Sequence, residues 1–99
     1  MAAAAVRAPT AYLSIPEMAE MYHKSKNTVR SYLQEIDADP RYKDAWVDLE
    51  PGARVRHINR NVFEDYLHHR TFLRDRGLRK HVQPYDPVMV ARQRGEQAI

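Results

Sequence analysis

A small α+β fold, mostly α, is predicted for this 99-residue chain by three observations. Two capping signatures, Ser14-x-x-Glu17 and Asn61-x-x-Glu64, each open a run whose apolar residues recur at helical spacing. A third helical run, from Ser25 to about Ile36, follows the first after only a few residues. Between the second and last helices, Trp46–Leu49 and Arg54–Ile58 are strand-like and flank Glu50-Pro51-Gly52-Ala53, the composition of a tight hairpin.

Taken in order, the first helix carries Pro16 in its opening turn, where the missing N–H leaves nothing unpaired, and turns Ile15, Met18, Ala19 and Tyr22 inward. A short, tight turn follows before Ser25. In the second helix, Val29, Tyr32, Leu33 and Ile36 form one apolar stripe at about 100° per residue. Asp37-Ala38-Asp39-Pro40 stops it, because the residue before a proline resists the helical region. In the third, Phe63, Tyr66, Leu67 and Leu73 face inward, and Gly77 supplies the stop. Trp46 joins Tyr22, Tyr32, Phe63 and Tyr66 as expected core. From Leu78 onward periodicity is weak and Pro84 and Pro87 interrupt it, which predicts an extended tail with a helical turn or two over Val88–Arg94. The order helix, helix, β-hairpin, helix is that of a small winged helix-turn-helix, with the hairpin as wing. The expected organisation is a flexible lead-in over 1–11, the winged domain over 12–76 and a basic tail over 77–99.

Composition bounds the function. There is no cysteine, so disulfides and thiolate metal sites are excluded and a cytoplasmic setting is expected. No apolar run approaches the roughly 20 residues of a membrane span. The net charge of +3 leans toward an anionic partner, but its distribution is uneven. Residues 1–69 carry nine Lys/Arg against ten Asp/Glu, and residues 70–99 carry seven against three. The electrostatic case therefore rests on local placement. No nucleophile–base pair, glycine-rich phosphate loop or paired-carboxylate motif is present, so no catalysis is expected. His68 and His69 point about 100° apart on a helix and, with His57 or His81, offer no familiar ligand spacing, so neither metal nor cofactor is expected.

The second helix has the wrong outer face for an ordinary solvated helix. Asn27, Arg30, Ser31 and Gln34 cluster opposite its apolar stripe: hydrogen-bonding side chains, one cation and no carboxylate. That is the chemistry that pairs with base edges in a major groove. Ser25 and Thr28, at the helix start beside outward-pointing amides, suit phosphate, and Lys24 and Lys26 add backbone contacts. On the wing, Arg54 and Arg56 share one strand face, with Arg54 nearest the tip and suited to a minor groove or phosphate. The alternation breaks at Ile58, which suggests a bulge or a register change. In the tail, Arg74, Arg76, Arg79 and Lys80 suit either phosphate or a protein partner. The acidic run Asp37, Asp39, Asp44, Asp48 and Glu50 must face away from any phosphate.

These residues resemble a known family: the small excisionases (recombination directionality factors) of conjugative transposons and phages, within the MerR-like winged-helix group. The resemblance runs over about residues 13–67, through Leu13-Ser14-Ile15-Pro16-Glu17, Asn27-Thr28-Val29-Arg30, Trp46 and Phe63-Glu64. Ser25-x-x-Thr28-Val29-Arg30-x-Tyr32 also resembles the recognition-helix phrase of MerR-type regulators. It differs at His23, where relatives carry glycine, which implies a positive φ that histidine tolerates better than most residues, and at Lys24, where they carry an aliphatic residue. The resemblance implies an architectural protein of a mobile genetic element that binds double-stranded DNA, bends it, self-associates along it and directs an integrase toward excision. A small MerR-like transcriptional regulator and a winged-helix protein-interaction module are the alternatives. No membrane and no small-molecule ligand are expected.

Overall fold

The computed structural model of the protein describes residues 11–95, and the expected lead-in falls, but for Ala11, outside them. The chain runs β1 (Tyr12–Ser14), α1 (Ile15–Met21), α2 (Lys26–Ala38), a single 3-10 turn (Pro40–Tyr42), β2 (His57–Asn59), α3 (Arg60–Leu73), α4 (Arg76–Arg79) and α5 (Pro87–Gln93). It is mostly helical, with one two-stranded antiparallel sheet. No helix among the described residues is long and apolar enough to cross a membrane.

The start of α1 follows from its local sequence. Ser14 Oγ accepts from Glu17 N at 3.3 Å, while Ser14 N donates to Glu17 Oε1 at 2.9 Å, closing the expected capping box. At its end the chain reverses through His23, the one non-glycine residue of positive φ (55°) among those described. His23 N donates to Glu20 O at 3.4 Å and Lys24 N to Ala19 O at 2.9 Å. That pair of bonds is the Schellman closure, which satisfies two helix-end carbonyls and requires a left-handed residue where His23 stands. Two residues later Ser25 Oγ accepts from Thr28 N at 3.0 Å and starts α2.

Sheet and hairpin share β2. On one edge Leu13 lies opposite Ile58, and on the other Asp48 pairs antiparallel with the same residue. Leu49 N donates to His57 O at 2.9 Å and Asn59 N to Val47 O at 2.7 Å, so residues 47–49 and 57–59 are the arms of a hairpin. Its tip contains a turn in which Ala53 N donates to Glu50 O at 3.1 Å, with Pro51 and then Gly52 (φ 83°) at the centre. Glycine in the left-handed region after proline is the type II arrangement.

Met18, Val29, Leu33, Ile36, Ile58, Val62, Phe63 and Tyr66 form the core where α1, α2, β2 and α3 meet. Tyr22 and Tyr32 are half-buried, with ring centroids 5.3 and 6.3 Å from that of Phe63. Trp46 departs from expectation: it is 67% exposed. In an extended segment neighbours face opposite sides, and here Val47 takes the inward position while the Trp46 carbonyl accepts from buried Asn59 Nδ2 at 3.0 Å.

Two boundaries also move. The cap of α3 is Asn59, whose Oδ1 accepts from Asn61 N at 2.9 Å and Val62 N at 3.4 Å; Asn61 lies buried within the helix. Gly77 does not end that helix. Asp75 caps α4 across it, accepting from Gly77 N at 2.8 Å and Leu78 N at 3.1 Å. Beyond it the chain packs back on the body. Val82 and Tyr85 rest against the core, and Val90 and Ala91 of α5 are buried. Residues 96–99 of the tail lie outside the described residues.

Candidate nucleic-acid interface

The outward face of α2 stands clear of the body. Asn27, Arg30, Ser31 and Gln34 are all exposed, and the residues between them, Val29 and Leu33, hold the helix down from beneath. Arg30 Nη1 donates to Asn27 Oδ1 at 3.2 Å, so two of the four are already aligned along the helix. Lys24, Ser25 and Lys26 are exposed at the N-terminal end, and Thr28 is half-buried, its Oγ1 accepting from Ser25 Oγ at 2.9 Å.

Basic groups lie on two elements that ion pairs tie to α2, the hairpin and the end of α3. On one, Arg54 of the hairpin is exposed and makes no ion pair among the described residues. On the other, Arg74 pairs with Glu35 of α2 at 3.5 Å while its side chain stays 57% exposed, and Arg70 lies over the Tyr32 ring, 4.7 Å from its centroid. Arg76 and Lys80 are exposed on and beside α4.

The remaining two cations of interest are engaged internally. Arg56 donates to Asp48 (2.7 and 3.1 Å) and to Asp37 (3.1 and 3.2 Å). Arg79 forms an ion pair with Asp39, and its Nη1 donates to Leu73 O at 3.0 Å. Burial pushes the Asp39 carboxyl upward, yet the Arg79 hydrogen bond and the Arg41 amide outweigh it and hold it below the ordinary carboxylate range. Three members of the acidic run, Asp37, Asp39 and Asp48, are thereby ion-paired within the fold, while Asp37, Asp44 and Glu50 are exposed.

Sequence reasoning missed a buried polar centre that joins the 3-10 turn to α3. Arg41 Nε and Nη2 donate to the two oxygens of Asp65 at 2.8 and 3.1 Å, and Tyr42 Oη donates to the same carboxylate at 2.6 Å. The side chains of Arg41 and Asp65 are 8% and 4% exposed. Burial, and then the Asp65 hydrogen bond, push the Tyr42 phenol above its ordinary range. Arg41 Nη1 also reaches the Gln83 carbonyl, and Arg94 reaches Glu64 at 2.6 Å and Asn61 at 2.7 Å. These bonds lash the tail to α3. No local motif announces them, since the partners lie 23 to 42 positions apart in sequence.

Between α3 and the returning tail is an open groove of about 810 Å³, lined in part by His68, His69, Phe72, His81, Tyr85 and Met89. Among the described residues no three His, Cys, Asp or Glu side chains are placed to hold a metal ion. Comparison with protein-family models, curated proteins and solved structures finds no match for this chain.

Proposed function

We propose that this protein is a winged helix-turn-helix that binds double-stranded DNA, with α2 entering the major groove and the 46–59 hairpin acting as the wing. One observation carries the reading: the outward face of α2 presents Asn27, Arg30, Ser31 and Gln34 free of carboxylates and uncovered by the tail. Two further features support it. The left-handed turn at His23 joins α1 to α2 within a few residues, and exposed cations stand on the neighbouring elements, Arg54 on the hairpin and Arg74 and Arg76 just after α3. Asn27, Arg30, Ser31 and Gln34 read bases; Lys24, Ser25, Lys26, Thr28 and Arg54 hold phosphates.

Within that class, the motif resemblance favours an excisionase-like architectural role beside an integrase, and a small MerR-like regulator is the nearest alternative. The protein acts by binding, without catalysis of its own. With about five phosphate contacts, log affinity falls against log salt with a slope of roughly −4 to −5. Duplex selection from a random pool, followed by a salt titration, tests this; failure to retain any duplex at low salt defeats it. Excision assays with a paired integrase, set against promoter reporters, separate the two roles.

A second reading has its own support. Trp46, Leu49 and Val55 are 67%, 59% and 61% exposed along the hairpin, an apolar display suited to a protein partner. It predicts that Asn27→Ala and Arg30→Ala leave function intact while Trp46→Ser abolishes it.

A further inference from the structure

Resting on the duplex-binding reading, we infer that Arg56 is a positioning residue, which fixes the wing against the C-terminal end of α2 so that Arg54 and Gln34 meet one duplex at a set spacing. Arginine has five N–H donors in a rigid planar fork. Four of them are engaged here, in two bidentate pairs with Asp48 and Asp37. One donor remains, and the guanidinium sits between two carboxylates, a cluster of net negative charge that repels phosphate. A phosphate ligand has the opposite requirements.

The three members lie on three separate pieces of the interface. Asp48 is on the outgoing arm of the hairpin, opposite Ile58; Arg56 immediately precedes the returning arm; Asp37 is in the last turn of α2. Arg54 is two residues from Arg56, and Gln34 is three from Asp37. The path from the wing cation to the base-reading face is therefore short and is closed by the clamp. Two backbone bonds join the arms, Leu49 N to His57 O and Asn59 N to Val47 O, and neither reaches α2. Without the clamp the loop is free to pivot, and its ordering must then be met at the moment of binding.

Arg56→Lys keeps the charge and loses the double fork. Hydrogen exchange on the free protein reads the clamp without DNA: the Leu49 and Asn59 amides exchange faster in the variant, while Val29 and Leu33 amides in α2 match the parent. Affinity for a mixed-sequence duplex at low salt falls by about tenfold, and by less than about twofold when Arg54 is already alanine, because both changes remove the same wing contact. Asp48→Asn supplies the opposite-sign check. It removes a negative charge near DNA, yet it also opens the clamp, so binding weakens; a freed phosphate ligand would make binding tighter.

Arg56→Lys binding like the parent, an undiminished loss in the Arg54→Ala background, or tighter binding by Asp48→Asn each overturns the inference while parent binding still upholds the interface. A parent that binds no duplex overturns the interface and this role with it.

Discussion

Replacing Asp65 by asparagine tests the polar centre that joins the 3-10 turn and the tail to α3. In the native protein its two carboxylate oxygens receive three donors, Arg41 Nε and Nη2 and Tyr42 Oη, at 2.6 to 3.1 Å. Arg41 and Asp65 are almost wholly withdrawn from water, at 8% and 4% exposure. The amide removes the negative charge, keeps one acceptor oxygen and leaves the guanidinium desolvated without a counter-ion. Breaking a buried pair from one side costs about 3–5 kcal/mol. The retained acceptor places Asp65→Asn near the lower end of that range. Against a total stability of about 5–15 kcal/mol for a domain of this size, the loss is a large share.

Urea unfolding followed by far-UV circular dichroism measures it. Trp46 fluorescence is a poor probe, because that residue is already 67% exposed in the folded state. A triple variant, Arg41→Met and Tyr42→Phe with Asp65→Leu, removes both charges together with the hydroxyl that would lose its acceptor, and should recover most of the loss, since apolar replacement of a buried pair is often neutral or better. A loss under about 1 kcal/mol in Asp65→Asn, or a triple variant no more stable than the single, refutes the reasoning.

Three other outcomes follow from the same structure. Arg30→Ala should weaken binding to a selected duplex by about 1–3 kcal/mol and relax specificity at one base pair, whereas Arg54→Ala should weaken all duplexes alike; competition binding with substituted sites distinguishes them. Burial of His69 holds its imidazole below the ordinary value of 6.5, against the attraction of Asp65 3.7 Å away. The unfolded chain then binds the proton more tightly, so this stability is complete above about pH 6.5 and is lost as pH falls through the folded-state value. The urea midpoint should decline from neutral to mildly acidic pH, and His69→Gln should flatten that decline; an unchanged slope contradicts the assignment. At the left-handed turn, His23→Gly should be nearly neutral, because relief at φ 55° is offset by greater freedom of the unfolded chain. His23→Val should cost about 1–2 kcal/mol in the same assay, as a β-branched residue suffers most there.

What the sequence made legible was set by range. The Ser14–Glu17 box, the Ser25 cap, the turn at His23 and the Pro51-Gly52 turn are each decided within about four residues, and each stands as read. Asn61 and Gly77 were misplaced by competition between neighbours of the same chemistry. Asn59 ends a strand and is therefore extended, as a cap must be, while Asp75 offers its carboxylate just before Gly77. Trp46 misled because size suggested burial, although strand alternation gave the inward place to Val47. The tail was illegible for a different reason. Its docking depends on Arg79 with Asp39, Arg41 with Gln83 and Arg94 with Glu64, pairs brought together only by the fold. Of the candidate interface, the exposed face of α2 was legible from periodicity, whereas the internal pairing of Arg56 and Arg79 was not.

The most direct measurement is a backbone-amide NMR titration of the protein with a DNA duplex at low ionic strength. Shifts gathered over residues 24–34 and around Arg54, with little change along the groove between α3 and α5, are the predicted result. Shifts confined to that groove or to Trp46 and Leu49, or no shifts at all, would contradict a duplex-reading face on α2.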